Sequence, residues 1–213
     1  MKTLLVYGDS LSWGIIPGSR QRLPFERRWP GVLQQAVSPD ALVVEACLNG
    51  RTTVWDDPFR PGRNGRDWLI PALESHAPVH LVILFLGTND LQTVHGMGAF
   101  EAALGVATLV DAIRARVGDA QPTPPEVLLV APPPVGKPAG AMADKFAGAP
   151  PRSVDFARHY RNVAQERGVR FFDAGRHVSA SPVDGVHLDA EAHYQLGCHI
   201  APVVADMLKR IKP

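Results

Sequence analysis

The 213 residues are 46% hydrophobic and 20% charged and carry a formal net charge of +1. That length and apolar content suit one ordinary core, read as a single domain over 1–213. The near-neutral charge excludes long-range attraction to nucleic acid or an anionic membrane as an organising principle, so no nucleic-acid or membrane partner is expected.

No segment approaches the ~20 apolar residues that span a bilayer. The N-terminal apolar run is short, and no small-residue cleavage site follows it, so the expected location is cytoplasmic. Cys47 and Cys198 are isolated in apolar contexts, without metal-binding spacing, and are read as buried thiols. The sequence implies no metal and no organic cofactor: it has no G-x-G-x-x-G, Walker loop or H-E-x-x-H.

In chain order, residues 2–7 read as a strand buried on both faces, leading straight into Gly8-Asp9-Ser10-Leu11-Ser12-Trp13-Gly14. After a polar loop, Trp29 to Val37 reads as a helix with Pro30 in its first turn. Residues 41–48 form a second strand, ending in the turn-prone Asn49-Gly50-Arg51-Thr52-Thr53. Residues 54–67 read as an irregular loop in which Arg60, Arg63 and Arg66 face solvent. Asp67 is then expected to cap a short helix through 76.

Residues 81–86 are the strongest strand and end in Gly87-Thr88-Asn89-Asp90. A helix over 99–117 is predicted to bury Phe100, Leu104, Ala107, Val110, Ile113 and Val117. A fourth strand covers 127–131. The Pro/Gly/Ala-rich stretch 132–151 exceeds an ordinary connection, which points to a functional, oligomer-contact or mobile segment. A helix over 153–167, a strand over 169–173, a loop through His187 and a helix from about 189 to 211 complete the chain. Pro202 is expected to kink or split that last helix. Strands alternate with helices throughout, so the expected fold is a three-layer α/β/α, flavodoxin-like, doubly wound sheet of five parallel strands.

In such a sheet ligands bind outside the carboxyl ends of the strands. Ser10 follows the first apolar run, Gly50 the second, Asn89 the third, and Asp184 with His187 the fifth, so all should share one rim. Acyl transfer needs that combination. Ser10 is a nucleophile only if a base takes its proton. His187 has a suitable imidazole, and Asp184, three residues earlier, can fold back to orient it. The oxyanion would be met by the backbone N–H groups of Ser10 and Gly50 and the amide of Asn89. Leu11, Trp13, Thr88 and Val186 flank these tips and are read as pocket residues. Asp9 and Asp90 read as turn organisers. The remaining histidines lack a partnered spacing and read as surface or satisfied core residues.

Gly8-Asp9-Ser10-Leu11-Ser12, Gly50, Gly87-Thr88-Asn89-Asp90 and Asp184-x-x-His187 resemble, in order, four blocks of the GDSL, or SGNH, hydrolase superfamily. Asn49 to Thr53 with Asp56-Asp57-Pro58, Pro132-Pro133-Pro134 and Phe172-Asp173-Ala174-Gly175 further resemble its bacterial arylesterases, a subgroup with a mycobacterial, transacylating member. The resemblance implies a small-molecule substrate, a short-chain acyl or aryl ester. It also implies transfer of acyl groups to alcohols or peroxide, and a homo-oligomer. The rival readings are a carbohydrate or lysophospholipid deacetylase and, from another class, a non-catalytic flavodoxin-like binding module. There is no G-x-S-x-G elbow, because position 12 is serine.

Overall fold

A computed structural model describes residues 1–211; positions 212–213 of the single-domain reading lie outside the described residues. Five strands form one parallel sheet in the order β2-β1-β3-β4-β5. β1 spans Lys2–Gly8, β2 Ala41–Cys47, β3 Leu81–Phe85, β4 Glu126–Ala131 and β5 Arg170–Asp173. Seven α-helices connect and cover them among the described residues: α1 Ser10–Trp13, α2 Trp29–Val37, α3 Gly65–Ser75, α4 Ala99–Arg114, α5 Ala149–Ser153, α6 Phe156–Arg167 and α7 Ala190–Arg210.

The strands read as continuous apolar runs because both sheet faces are covered. Alternate residues divide between two cores. Leu5, Tyr7, Val82, Leu84, Val127 and Leu129 face the side of α3, α4 and α6. Leu4, Val6, Leu81, Ile83, Leu128 and Val130 face α2 and α7. The central strands end level, with Gly8 opposite both Cys47 and Phe85. Strand order reverses between β1 and β3, and there the connections leave on opposite faces and open a crevice at the carboxyl ends. Ser10 lies two residues beyond the end of β1 and Asn89 four beyond the end of β3.

Several local expectations change. α3 begins at Gly65, earlier than expected, and Asn64 caps it: its Oδ1 accepts from the Arg66 N–H at 3.0 Å, while Asp67 sits inside the first turn. α4 stops at Arg114 and buries Ala107, Val110 and Ile113 as expected, but its inward face is shifted away from the other three. Phe100, Leu104 and Val117 are about half exposed, whereas Ala102, Val106, Leu109, Val110 and Ile113 are wholly buried. Steps of three and four fit more than one stripe of this helix, and close approach selects the small one. A Cβ at Gly105 would lie 2.0 Å from Thr53 Oγ1.

The expected helix over 153–167 is two, α5 and α6. α7 runs unbroken through Pro202. That proline lies on the exposed face, as does Cys198 four residues earlier, so the Cys198 carbonyl freed by the missing N–H faces water. Cys198 is therefore exposed rather than buried, and Cys47 is half-buried. Among the described residues no helix is long and apolar enough to cross a membrane.

Candidate active site

The chain leaves β1 through Asp9, whose Oδ1 accepts from the Leu11 N–H at 2.9 Å and caps α1. The cap turns the backbone sharply and puts Ser10 at the first position of the helix. Ser10 is 6% exposed, and among the described residues its Oγ makes no hydrogen bond. Its N–H is one of the amides a helix start leaves without an acceptor. Gly50 has φ 81°, a left-handed conformation that favours glycine, and its N–H is also without an acceptor among the described residues.

Asn89 differs from these two. Its Nδ2 donates to Asp9 Oδ2 at 3.0 Å and to the Arg51 carbonyl at 3.1 Å, so both amide hydrogens are engaged. Its Oδ1 accepts from Gln92 Nε2 at 2.6 Å. Two backbone donors are free, and the third donor can reach an oxyanion only by sharing or releasing a partner.

Asp184 and His187 form the tightest polar unit of the rim. Asp184 Oδ2 lies 2.7 Å from His187 Nδ1 and accepts from the Gly18 N–H at 3.2 Å. Its Oδ1 accepts from the N–H groups of Val186 and His187, each at 2.9 Å. Burial by itself works to raise the pKa of this carboxyl. The His187 ring and the backbone donors outweigh it and hold Asp184 well below the usual carboxylate range. An ionised carboxylate only accepts, so His187 carries its proton on Nδ1 and leaves Nε2 as the basic atom.

The stretch 132–151 is the clamp on this loop. The Gly136 N–H donates to the Gly185 carbonyl at 2.8 Å, and the Ala139 N–H to the Asp184 carbonyl at 3.1 Å. Gly185 has φ 75°, and a Cβ there would lie 2.1 Å from the Lys137 carbonyl oxygen. Backbone groups of Gly18, Gly136 and Ala139 thus hold Asp184 from two sides. No side-chain pattern in the sequence marks them.

The same holds for Arg51. It is 6% exposed, stacks over the Tyr7 ring at 4.1 Å, and donates from Nη1 to the Gly8 carbonyl at 3.0 Å. Asp9 and Asp90 do organise loops. Asp90 accepts from the Thr53 N–H at 2.9 Å and from the Thr53 hydroxyl. Burial pushes Asp9 up to about 6, against the Leu11 N–H, His187 and Asn89, which favour its charge. Burial likewise pushes Asp90 up to about 7.

The pocket expectations divide. Trp13 is half-buried, with the Arg22 guanidinium 4.6 Å from its ring centre. Thr88 is 3% exposed and its buried Oγ1 has no partner. Leu11 and Val186 are core residues on opposite faces of the sheet, so their side chains form no open wall. His193 is not a satisfied core histidine: it is fully buried and its Nε2 lacks a partner, and burial pushes it down to about 3. Among the described residues no group of three His, Cys, Asp or Glu could hold a metal ion.

Comparison with known proteins places this arrangement. The GDSL-like Lipase/Acylhydrolase family matches residues 6–195. The chain belongs to that family. The M. smegmatis aryl esterase superposes with a TM-score of 0.93 at 36% identity, covering 97% of this chain and 100% of the esterase. A carbohydrate acetylesterase family member from Sinorhizobium meliloti gives 0.93 at 43% identity, covering 98% and 100%. A second carbohydrate acetylesterase from that organism gives 0.93 at 36% identity, covering 97% and 100%. No curated protein sequence matches significantly. The protein is a carboxylic ester hydrolase of the GDSL, or SGNH, superfamily, with the three-layer parallel fold of its solved members.

Proposed function

We propose that Ser10, His187 and Asp184 act together as the acyl-transfer apparatus of this hydrolase on short-chain acyl or aryl esters. The observation that carries the reading is the Asp184–His187 pair at 2.7 Å, on the same rim as a serine whose hydroxyl is unbonded. Ser10 Oγ attacks the ester carbonyl carbon while His187 Nε2 takes its proton. Asp184 stabilises the imidazolium through Nδ1–H. The carbonyl oxygen, now anionic, is met by the Ser10 and Gly50 N–H groups and by Asn89. Collapse returns the proton from His187 to the leaving alcohol and leaves an acyl-Ser10 ester. Water, activated by the same nitrogen, then releases the acid and restores Ser10.

The family resemblance also supports acyl transfer, in which an alcohol or peroxide replaces that water. A panel of p-nitrophenyl esters of increasing acyl length, assayed with and without added alcohol, tests both parts. Turnover should fall with acyl length, and alcohol should divert product to a new ester. A preference for long chains and no diversion would remove them. The two Sinorhizobium relatives favour a second reading, removal of acetyl groups from carbohydrate. Release of acetate from an acetylated sugar faster than from p-nitrophenyl acetate would select it. The subgroup resemblance further supports a homo-oligomer, which a monomeric mass by light scattering would refute.

A further inference from the structure

Four cationic side chains gather at the rim, each on a segment tied to a candidate catalytic residue. The loop after β2 folds back so that the Thr52 N–H meets the Arg63 carbonyl at 2.9 Å. It brings Arg60 against Gly50: a Cβ on that glycine would lie 2.6 Å from Arg60 Nη2 and 2.8 Å from Nη1. Arg60 is therefore only partly solvated, with a side chain 36% exposed, rather than on a fully solvated loop face as its Asp/Pro/Gly-rich surroundings suggest. Lys145 belongs to the clamp stretch, and its carbonyl accepts from the Thr93 N–H at 2.9 Å, four residues beyond Asn89. Arg20 sits at the tip of the turn closed by the Ile15–Arg22 bridge, the turn whose Gly18 N–H binds Asp184.

Charge in this cluster does not balance. Lys145 is partly buried, and among the described residues its ammonium makes no hydrogen bond and no ion pair. Burial first, and then Arg60, Arg20 and Arg63, push it down to about 8, with Asp57 the only carboxylate opposing them. Asp57 is already committed: it accepts from the Phe59 N–H at 2.9 Å, the Arg60 N–H at 3.0 Å and Arg60 Nε at 2.9 Å. Arg63 Nε and His95 Nε2, in the same cluster, are buried without partners. Partly buried cations that outnumber their carboxylate, and buried donors without partners, cost free energy unless a partner arrives. The arriving group that satisfies all of them is an anion, and a guanidinium beside an ammonium suits a carboxylate.

We propose that this rim selects esters that carry a carboxylate, received by Arg60 and Lys145. The proposal rests on the esterase reading of Ser10 and concerns which ester that site takes. The negative group reduces repulsion among the cations as it binds, so the preference should show in KM and weaken with salt.

The test uses two matched substrate pairs, one with the charge on the leaving group and one with it on the acyl chain. They are meta-acetoxybenzoate against meta-acetoxybenzamide, and mono-p-nitrophenyl adipate against p-nitrophenyl hexanoate. The wild type should favour the anionic member of at least one pair by roughly tenfold in kcat/KM at low salt, as a charge-assisted contact allows. About half-molar salt should shrink that ratio by raising the KM of the anionic ester alone. Arg60→Gln and Lys145→Met should each shrink it severalfold, with the anionic ester losing more than the neutral one. Lys145→Met breaks no side-chain hydrogen bond among the described residues, so it remains informative if Arg60→Gln disturbs the Asp57 turn. Equal kcat/KM within both pairs for the wild type would overturn the proposal. Equal loss on charged and neutral esters in both variants would overturn it too, since that marks a role in the fold or in every turnover. No turnover of any ester, with Ser10 unlabelled by an organophosphonate, would instead remove the esterase reading beneath it.

Discussion

The middle of the sheet and the rim above it are buried alike and built oppositely. Leu4, Leu5, Val82, Leu84, Leu128 and Leu129 are wholly buried and apolar. Just beyond the ends of β1 and β3, Asp9, Ser10, Asn89 and Asp90 are 0–6% exposed and polar. In the first region burial stabilises every group. In the second it pushes Asp9 and Asp90 towards the neutral form, opposed at Asp9 by the Leu11 N–H, His187, Asn89 and Arg51 and at Asp90 chiefly by Thr53. The middle supplies stability that the rim spends on holding chemistry in place. Substitutions at the reacting groups of the rim should therefore act on turnover and sheet changes on stability, with rim residues that also hold the loops doing both.

The largest separation is expected at the proposed nucleophile and base. Ser10→Ala and His187→Ala should each lower kcat for p-nitrophenyl acetate by on the order of a thousandfold or more, with little change in melting temperature. Because the two act as a unit, the double variant should be little worse than either. Additive losses would break the comparison by making them independent residues. Next comes Asn89→Ala, where loss of the proposed oxyanion donor should cost roughly a hundredfold in kcat. Its amide also bridges Asp9 to Arg51, so a drop in stability should accompany the kinetic one, visible by thermal melting.

Leu84→Ala, in the middle, should do the reverse. It should cost about 2–5 kcal/mol in denaturant unfolding while the folded fraction keeps its kcat.

The smallest effect is a pH dependence. Burial raises Asp90 from 3.8 to about 7, so its contribution to stability is full below the lower value and is lost as pH rises through the upper one. Asp90→Asn should therefore flatten the decline in melting temperature between about pH 4 and pH 7. An unchanged slope would mean that this carboxyl is ionised at little cost.

The two regions also differed in how far the sequence revealed them. The strands were legible because a run buried on both faces admits few polar residues, as in Leu81 to Phe85. Ser10, Gly50, Asn89, Asp184 and His187 were legible as polar tips beyond those runs, brought to one edge by parallel pairing. What holds the tips was not. The Gly136 and Ala139 amides that clamp the Asp184 loop are backbone donors without a side-chain signature. The buried stripe of α4 was misread because Phe100 and Leu104 outrank alanine in hydrophobicity, whereas close approach to Thr53 favours small residues. Arg60 looked solvated because nothing in a local window shows that its loop returns to Gly50.

The central claim is that Ser10 is nucleophilic because His187 and Asp184 share its rim. The most direct measurement is labelling by a p-nitrophenyl alkylphosphonate, read by mass spectrometry of the digested protein. One adduct should form, on the peptide holding Ser10. It should be absent in Ser10→Ala and form far more slowly in His187→Ala. An adduct on any other residue, or none while the protein still hydrolyses esters, would contradict the claim.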